Sequence, residues 1–332
     1  VLFEGWNEGW ENWGGSQSFD FTKPYADFDI AEIVRYARER GIEIIGHHET
    51  GGNIPDYERQ LERAVKWYAD LGIHNLKTGY AGGISGGNNH HGQYMVRHYQ
   101  HVVETAAKYR MTVNAHEPIK DCGIRRTWPN MMSREGARGK EWDAWSAGNP
   151  PSHEVTLPFT RLLAGPMDFT PGSMFSAQPE DNRSTGANPM GTGTRAYQMA
   201  LYVVFESPLQ MLADNPVLYR REHPCTEFLA AVPTTWDSLR VLHAACGREV
   251  VVARRKGDKW YVGGITNDRP YTTEIALDFL PAGRTFTMTS FEDGVNADLQ
   301  ATDYRKRVRE VDASTVVKVE MVRNGGWAAV IE

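Results

Sequence analysis

As far as Asp237, short apolar runs alternate with helix-period segments, and each run ends in polar residues. Ile42–Gly46 leads into His47-His48-Glu49-Thr50, His74–Lys77 into Thr78-Gly79-Tyr80, and Met111–Ala115 into His116-Glu117-Pro118. Between them, Leu61, Ala64, Val65, Tyr68 and Leu71 recur at helical spacing before a stop at Gly72. Val96, Tyr99, Val103 and Ala106 mark another helix, and Asp27 or Asp29 caps one carrying Ile33, Val34 and Ala37, stopped at Gly41. Such alternation predicts parallel strands joined by crossover helices. Chemical residues massed at strand C-termini predict a (β/α)₈ TIM barrel, whose active site is built there.

The same rhythm continues more loosely. Val1–Gly5 reads as a short buried strand, followed by a loop over Trp6–Tyr25. Asn130–Ser133 precedes Arg134-Glu135, Pro166–Phe169 precedes Thr170-Pro171-Gly172, and Pro208–Ala213 precedes Asp214. Helices are expected near Thr194–Phe205 and over Leu218–Ala231. That makes seven strand positions, which fits a barrel lacking its first strand. The chain opens directly on an apolar run at Val1, which reads as a cut inside a strand, with an N-terminal region and any targeting segment before it. From Ser238 the texture changes to strand-like runs with a hairpin signal at Lys256–Lys259. A catalytic barrel over 1–237 and a small antiparallel β-sandwich over 238–332 follow.

Composition narrows the function. A net charge of -6 and no basic patch exclude a nucleic-acid partner. No apolar stretch approaches the ~18 residues of a membrane helix, so no membrane partner is expected. Three cysteines imply no disulfide framework. Ten Trp and fourteen Tyr serve either a large core or the stacking of sugar rings on aromatic faces.

Four glutamates, Glu49, Glu117, Glu135 and Glu141, fall at or beyond predicted strand ends. One alone would be a solvated loop charge. Several on successive strand ends suit glycoside hydrolysis, which needs two carboxyl groups across the scissile bond. The surplus suggests Ca²⁺, which takes six to eight oxygen ligands. The neighbouring His47, His48 and His116 suit sugar hydroxyls better than zinc. Lys77 ends a strand that offers no Asp nucleophile.

The segments "VLFEGWNEGWE" (1–11), "GHHETGGNIPDYE" (46–58), "LKTGYAGG" (76–83), "VNAHEPIK" (113–120), "SREGARGKEW" (133–142), "LPFTRLLAGPMDFTPG" (157–172) and "ESPLQMLADNP" (206–216) together resemble glycoside hydrolase family 97. The resemblance implies an N-terminal β-supersandwich, a (β/α)₈ barrel and a C-terminal β-domain, of which this chain would hold the last two. It implies a bacterial, periplasmic or secreted enzyme acting on an oligosaccharide. Retaining members carry an Asp nucleophile at the position matching Gly79; inverting α-glucosidases carry Gly there.

On that resemblance the chain is an exo-acting, calcium-dependent α-glucosidase that inverts terminal α-glucosidic bonds of maltooligosaccharides. Glu49 and Glu117 match the base-side carboxylates and Glu141 the general acid. Glu117, Glu135 and Glu141 match calcium-linked glutamates, with one more ligand from the N-terminal domain. His47, Lys77 and His116 match contacts to the −1 glucose, and Trp6 is placed to stack on it. Inversion requires carboxyl groups ~6.5–9.5 Å apart, and Gly79 is expected to leave room for the attacking water. The alternatives are a retaining α-galactosidase-like hydrolase and an inactive carbohydrate-binding fragment. An open barrel and an incomplete calcium shell predict that this chain alone is poorly stable and weakly active.

Overall fold

Asp29 starts the first helix. In the computed structural model, which describes residues 1–10, 19–186 and 189–332, its side chain accepts a hydrogen bond from the Glu32 amide and so caps α1 (Ile30–Glu39). α2 (Ile54–Leu71) stops where Gly72 turns left-handed, at φ 82°. α3 (Gln93–Lys108) follows as read. The expected loop Trp6–Tyr25 lies in part, at residues 11–18, outside the described residues.

Four strands pair in parallel in chain order: β1 (Ile45–Glu49), β2 (Asn75–Gly79), β3 (Thr112–Ala115) and β4 (Met131–Arg134). Every residue of β1 is buried, as expected of a parallel strand covered on both faces. The helices lay Val34, Leu61, Ala64, Val65, Tyr68, Val102 and Val103 into one core with Leu76 and Val113 of the sheet. β1 and β2 run further than the sequence indicates, so His47, His48, Glu49 and Gly79 belong to strands rather than to the loops after them. The run at Val1–Gly5 contributes a single bridge, from Leu2 to Ile45.

The later strand positions differ from expectation. Pro166–Phe169 and Pro208–Ala213 form no strand. Met167 does donate its amide to the Glu206 carbonyl, and Met167 and Phe169 are fully buried. Prolines at 166, 171 and 208 flank these runs and remove ladder donors, which leaves buried but irregular chain. The helix expected over Leu218–Ala231 is two, α6 (Pro216–Arg221) and α7 (His223–Ala231), because Pro224 cannot continue α6.

The chain divides into two compact units, Val1–Gly136 and Ala137–Glu332. The boundary expected at 237/238 falls inside the second. α5 (Arg195–Val204), expected as a barrel helix, is buried along its whole length. It packs flush on Gly326, where a Cβ would lie 2.2 Å from the Tyr197 Cα. A six-stranded antiparallel sheet lies there, in the order β12 (Tyr304–Val311), β11 (Phe286–Asp293), β14 (Gly326–Ile331), β9 (Lys259–Thr266), β8 (Glu249–Lys256) and β7 (Ser238–Ala245). β10 (Tyr271–Ala276) and β13 (Val316–Met321) form a second sheet. Trp327, Val251, Ile275, Val317 and Val319 share one core between the two sheets. Short pieces complete this unit: α4 (Pro151–Glu154), and β5 (Ser176–Ala177) paired with β6 (Gly191–Thr192). No described helix is long and apolar enough to cross a membrane, and all three cysteines are free thiols.

Candidate active site

Parallel register sets Glu49 beside Gly79, and Lys77 between His47 and Asn114. The ends of β1, β2 and β3 therefore bring the candidate side chains of the first unit together.

Glu49 is the centre of this group. Its Oε1 accepts the amides of Gly51 at 2.8 Å and Ala81 at 3.1 Å. Its Oε2 turns toward Gly79 and lies 1.9 Å from where a Cβ on that residue would be. The expectation of vacant space at Gly79 is thereby corrected: the carboxylate of Glu49 fills it. Burial pushes the Glu49 pKa up to about 7, reinforced by the negative charge of Glu117 and opposed by the Gly51 and Ala81 amides.

Glu117 follows β3 with φ 39°, a left-handed backbone uncommon for a residue with a Cβ. The fold holds it there from both sides. Its Oε2 accepts the Tyr80 amide at 2.7 Å, while its carbonyl receives the Tyr99 hydroxyl and meets the His90 imidazole. Behind Tyr80, His98 bridges the Tyr80 hydroxyl, at 3.0 Å, to Glu58, at 2.8 Å. No sequence pattern marks Tyr80, His90, His98 or Tyr99 as functional. At helical spacing, Tyr99 looked like core, and core residues it and Tyr80 are.

Lys77 donates to Glu4 at 2.7 Å, and Glu4 Oε1 is 3.9 Å from His47 Nε2. Burial works against ionisation of Glu4, but Lys77 and His47 outweigh it and lower the carboxyl to about 2. Burial, then the Lys77 ammonium, lowers the His47 pKa to about 3, so the imidazole is neutral. Its Nδ1 is buried with no partner among the described residues. Glu4 is not legible in the sequence as a site residue, because it sits in a strand-like run and no spacing shows that its side chain meets β2.

His116 Nδ1 stands 3.7 Å from Glu135 Oε2, and the Glu117 amide is 3.4 Å from the same oxygen. Glu117 and Glu135 thus occupy neighbouring strand ends and offer hard oxygen donors, which suit Ca²⁺; the imidazole of His116 does not. Glu141 belongs to the second unit, on a 3₁₀ turn over Lys140–Ala144, and is partly exposed.

Trp6 is not a stacking surface. It is 1% exposed, donates Nε1–H to the His47 carbonyl at 3.0 Å, and stacks on Trp67 with ring centroids 5.4 Å apart. Its apolar area is worth more in the core than on a loop, and β1 supplies its polar partner.

Comparison with known proteins adds independent findings. The model of the family described as "Glycoside hydrolase 97" matches residues 1–137, and that described as "Glycosyl-hydrolase 97 C-terminal, oligomerisation" matches 235–332. A protein of Bacteroides thetaiotaomicron named "Retaining alpha-galactosidase" is 35% identical over 97% of this chain and 47% of its own length. A "Probable retaining alpha-galactosidase" of Streptomyces bingchenggensis is 31% identical, over 91% of this chain and 42% of its own. Solved structures of a Glycoside Hydrolase Family 97 enzyme from Pseudoalteromonas sp. strain K8, in complex with panose or with acarbose, are 40% and 41% identical. Both give a TM-score of 0.92 and cover 100% of this chain and 53% of the solved one. The chain thus spans about half the length of the relatives it matches.

Proposed function

The chain belongs to glycoside hydrolase family 97, and from that premise we propose that the protein is an exo-acting, inverting α-glucosidase that removes terminal glucose from maltooligosaccharides. The observation that carries the branch is the Glu49 carboxylate lying where a side chain at position 79 would be. A retaining enzyme needs a carboxylate nucleophile, which the family resemblance places at that position; here the residue is Gly, and a base-side glutamate takes its space. The Pseudoalteromonas enzyme's complexes with panose and acarbose support a glucose-type substrate.

In the proposed reaction, water attacks the anomeric carbon while the bond from that carbon to the glycosidic oxygen breaks. Glu49 takes the water's proton, and Glu141 gives a proton to the leaving oxygen. A base with pKa about 7 is matched to neutral pH. Two amides fix one Glu49 oxygen and leave the other to face the water. Glu117, held by the Tyr80 amide, orients that water as the second base-side carboxylate. Neutral His47, Lys77 and His116 bind hydroxyls of the −1 glucose. Glu117, Glu135 and Glu141 would hold Ca²⁺, with a further oxygen from an N-terminal β-domain. When bound, the ion supplies a fixed positive charge that orients sugar oxygens. We read the four parallel strands as part of a (β/α)₈ barrel whose first strand lies outside this sequence, and the protein as exported, periplasmic or secreted.

The second reading, a retaining α-galactosidase, is favoured by the names of the Bacteroides and Streptomyces relatives. Proton NMR of the first-formed anomer from maltose decides between them. β-Glucose is expected; α-glucose, or cleavage of aryl α-galactosides without aryl α-glucosides, overturns inversion.

A further inference from the structure

The 3₁₀ turn that carries Glu141 is held at its C-terminal end by the Ser184 hydroxyl and the Gly186 amide on the Ala144 carbonyl, and locally by the Trp142 amide on the Gly139 carbonyl and the Ser146 hydroxyl on the Trp142 carbonyl. It spans five residues, Lys140–Ala144, and has no side-chain N-cap. Runs of this kind are marginal by themselves, because their hydrogen bonds are poorly aligned. On a 3₁₀ helix, side chains at i and i+3 eclipse. Lys140 and Asp143 are such a pair, and both point into the second unit, where each is 0% exposed. Glu141 and Trp142 lie on other faces, and Trp142 is 39% exposed.

The inward pair meets a third buried charge. Lys140 Nζ is 2.7 Å from Glu154 Oε1 and 3.2 Å from Asp143 Oδ2, and Glu154 is also 0% exposed. Glu154 closes the short helix α4. The Lys140 amide donates to the Phe169 carbonyl at 2.8 Å. Asp143 Oδ1 accepts the Asn149 amide at 2.7 Å, and the Asn149 side chain donates to the Gly139 carbonyl at 2.6 Å. The turn is therefore tied at its start, at its middle and across its base. Burying three ionisable groups is expensive for a fold and is weak evidence of stability in itself. Burial raises the pKa of Glu154 to about 7, which reflects that cost.

We infer that Lys140, paired with Asp143 and Glu154, is a positioning device for the general acid: it clamps the turn inward so that Glu141, the next residue, is presented outward at one fixed place. The inference rests on the reading of Glu141 as the acid, and it holds for inverting and retaining mechanisms alike, since both protonate the leaving oxygen.

The test compares two substrates in the whole protein. The glucose leaving group of maltose departs only with protonation of its glycosidic oxygen, whereas α-glucosyl fluoride loses fluoride without needing it. Glu141→Gln calibrates the pair. Lys140→Met is expected to lower kcat on maltose by about 100-fold, the cost of roughly an ångström of misplacement, and on α-glucosyl fluoride by less than about 3-fold. Glu154→Gln keeps the shape and an oxygen acceptor for Lys140, and a loss of about 10-fold on maltose alone is expected from the loosened clamp. It is the deciding variant should Lys140→Met show no native near-ultraviolet circular dichroism. Equal losses on both substrates, or none on either, in a folded variant overturn the clamp. Absence of the substrate split in Glu141→Gln itself overturns instead the assignment of Glu141 as the acid.

Discussion

Glu49 shows how a residue identity becomes chemistry only through its surroundings. The sequence places it at a strand end among polar residues, and that much was legible. The amide pair on one oxygen and the burial that raises its pKa to about 7 depend on Gly51 and Ala81 folding back over it, which no spacing rule reveals. The base must be ionised and the acid Glu141 protonated, so kcat/KM on maltose should be bell-shaped, with Glu49 setting the acid limb, which rises with pH through about 7. A pH–rate profile with an acid limb near 4.5 would remove Glu49 as the base. Glu49→Gln, nearly isosteric, should lower kcat by about 10²–10⁴ with little change in KM. Gly79→Asp tests the same space from the other side. Its Cβ would stand 1.9 Å from Glu49 Oε2, so the new side chain must displace the base. The variant should lose activity on α-glucosides and gain none by retention; product NMR showing a retained anomer would mean that the two carboxylates can share the site.

Among the elements, local signals decided where the structure agrees with the sequence. Helix periodicity with Asp29 and Gly72 as start and stop gave α1 and α2, and buried runs without proline gave β1 to β4. Legibility failed where a run's tertiary role overrides its pattern. The runs before Thr170 and Asp214 look like strands but are bounded by prolines, and Pro224 splits one expected helix into α6 and α7. Trp6 is the clearest case, because a Trp in a Gly-rich, aromatic loop reads equally as sugar platform or core. Its indole N–H on the β1 carbonyl and its stack on Trp67 of α2 settle the matter for core. Trp6→Ala should therefore destabilise the protein by about 3–5 kcal/mol, as large-to-small core changes do. Chemical denaturation measures this. An unchanged midpoint with a raised KM would restore Trp6 to the sugar site.

At the scale of the whole molecule, the two compact units bury different kinds of ionisable group, and their responses to acid should diverge. In Val1–Gly136, burial lowers His47 and His48 to about 3, against 6.5 for an ordinary imidazole. Unfolding lets each bind a proton, so their contribution is full above pH 6.5 and is lost as pH falls toward 3. His98, also lowered by burial, acts in the same direction. Glu49 opposes them, because its folded pKa of about 7 makes the native state the better proton binder between 4.5 and 7. In Ala137–Glu332 the balance reverses. Burial raises both Glu154 and Asp293 to about 7, the latter despite hydrogen bonds from Thr194, Val322 and Gly326. Each gains native-state stability as pH falls from 7 toward its ordinary value, while His153, lowered by burial, works against them. Acidification from pH 7 to 5 should thus loosen the first unit while the second holds or tightens. Hydrogen exchange, corrected for the intrinsic pH dependence of exchange, should show protection falling in α2 and β1 and persisting in α5 and β14. Earlier loss in α5 and β14 would mean that Glu154 and Asp293 are not the strained carboxyls their burial makes them, and would weaken the case that the charges beneath the Glu141 turn are kept there at a cost to the fold.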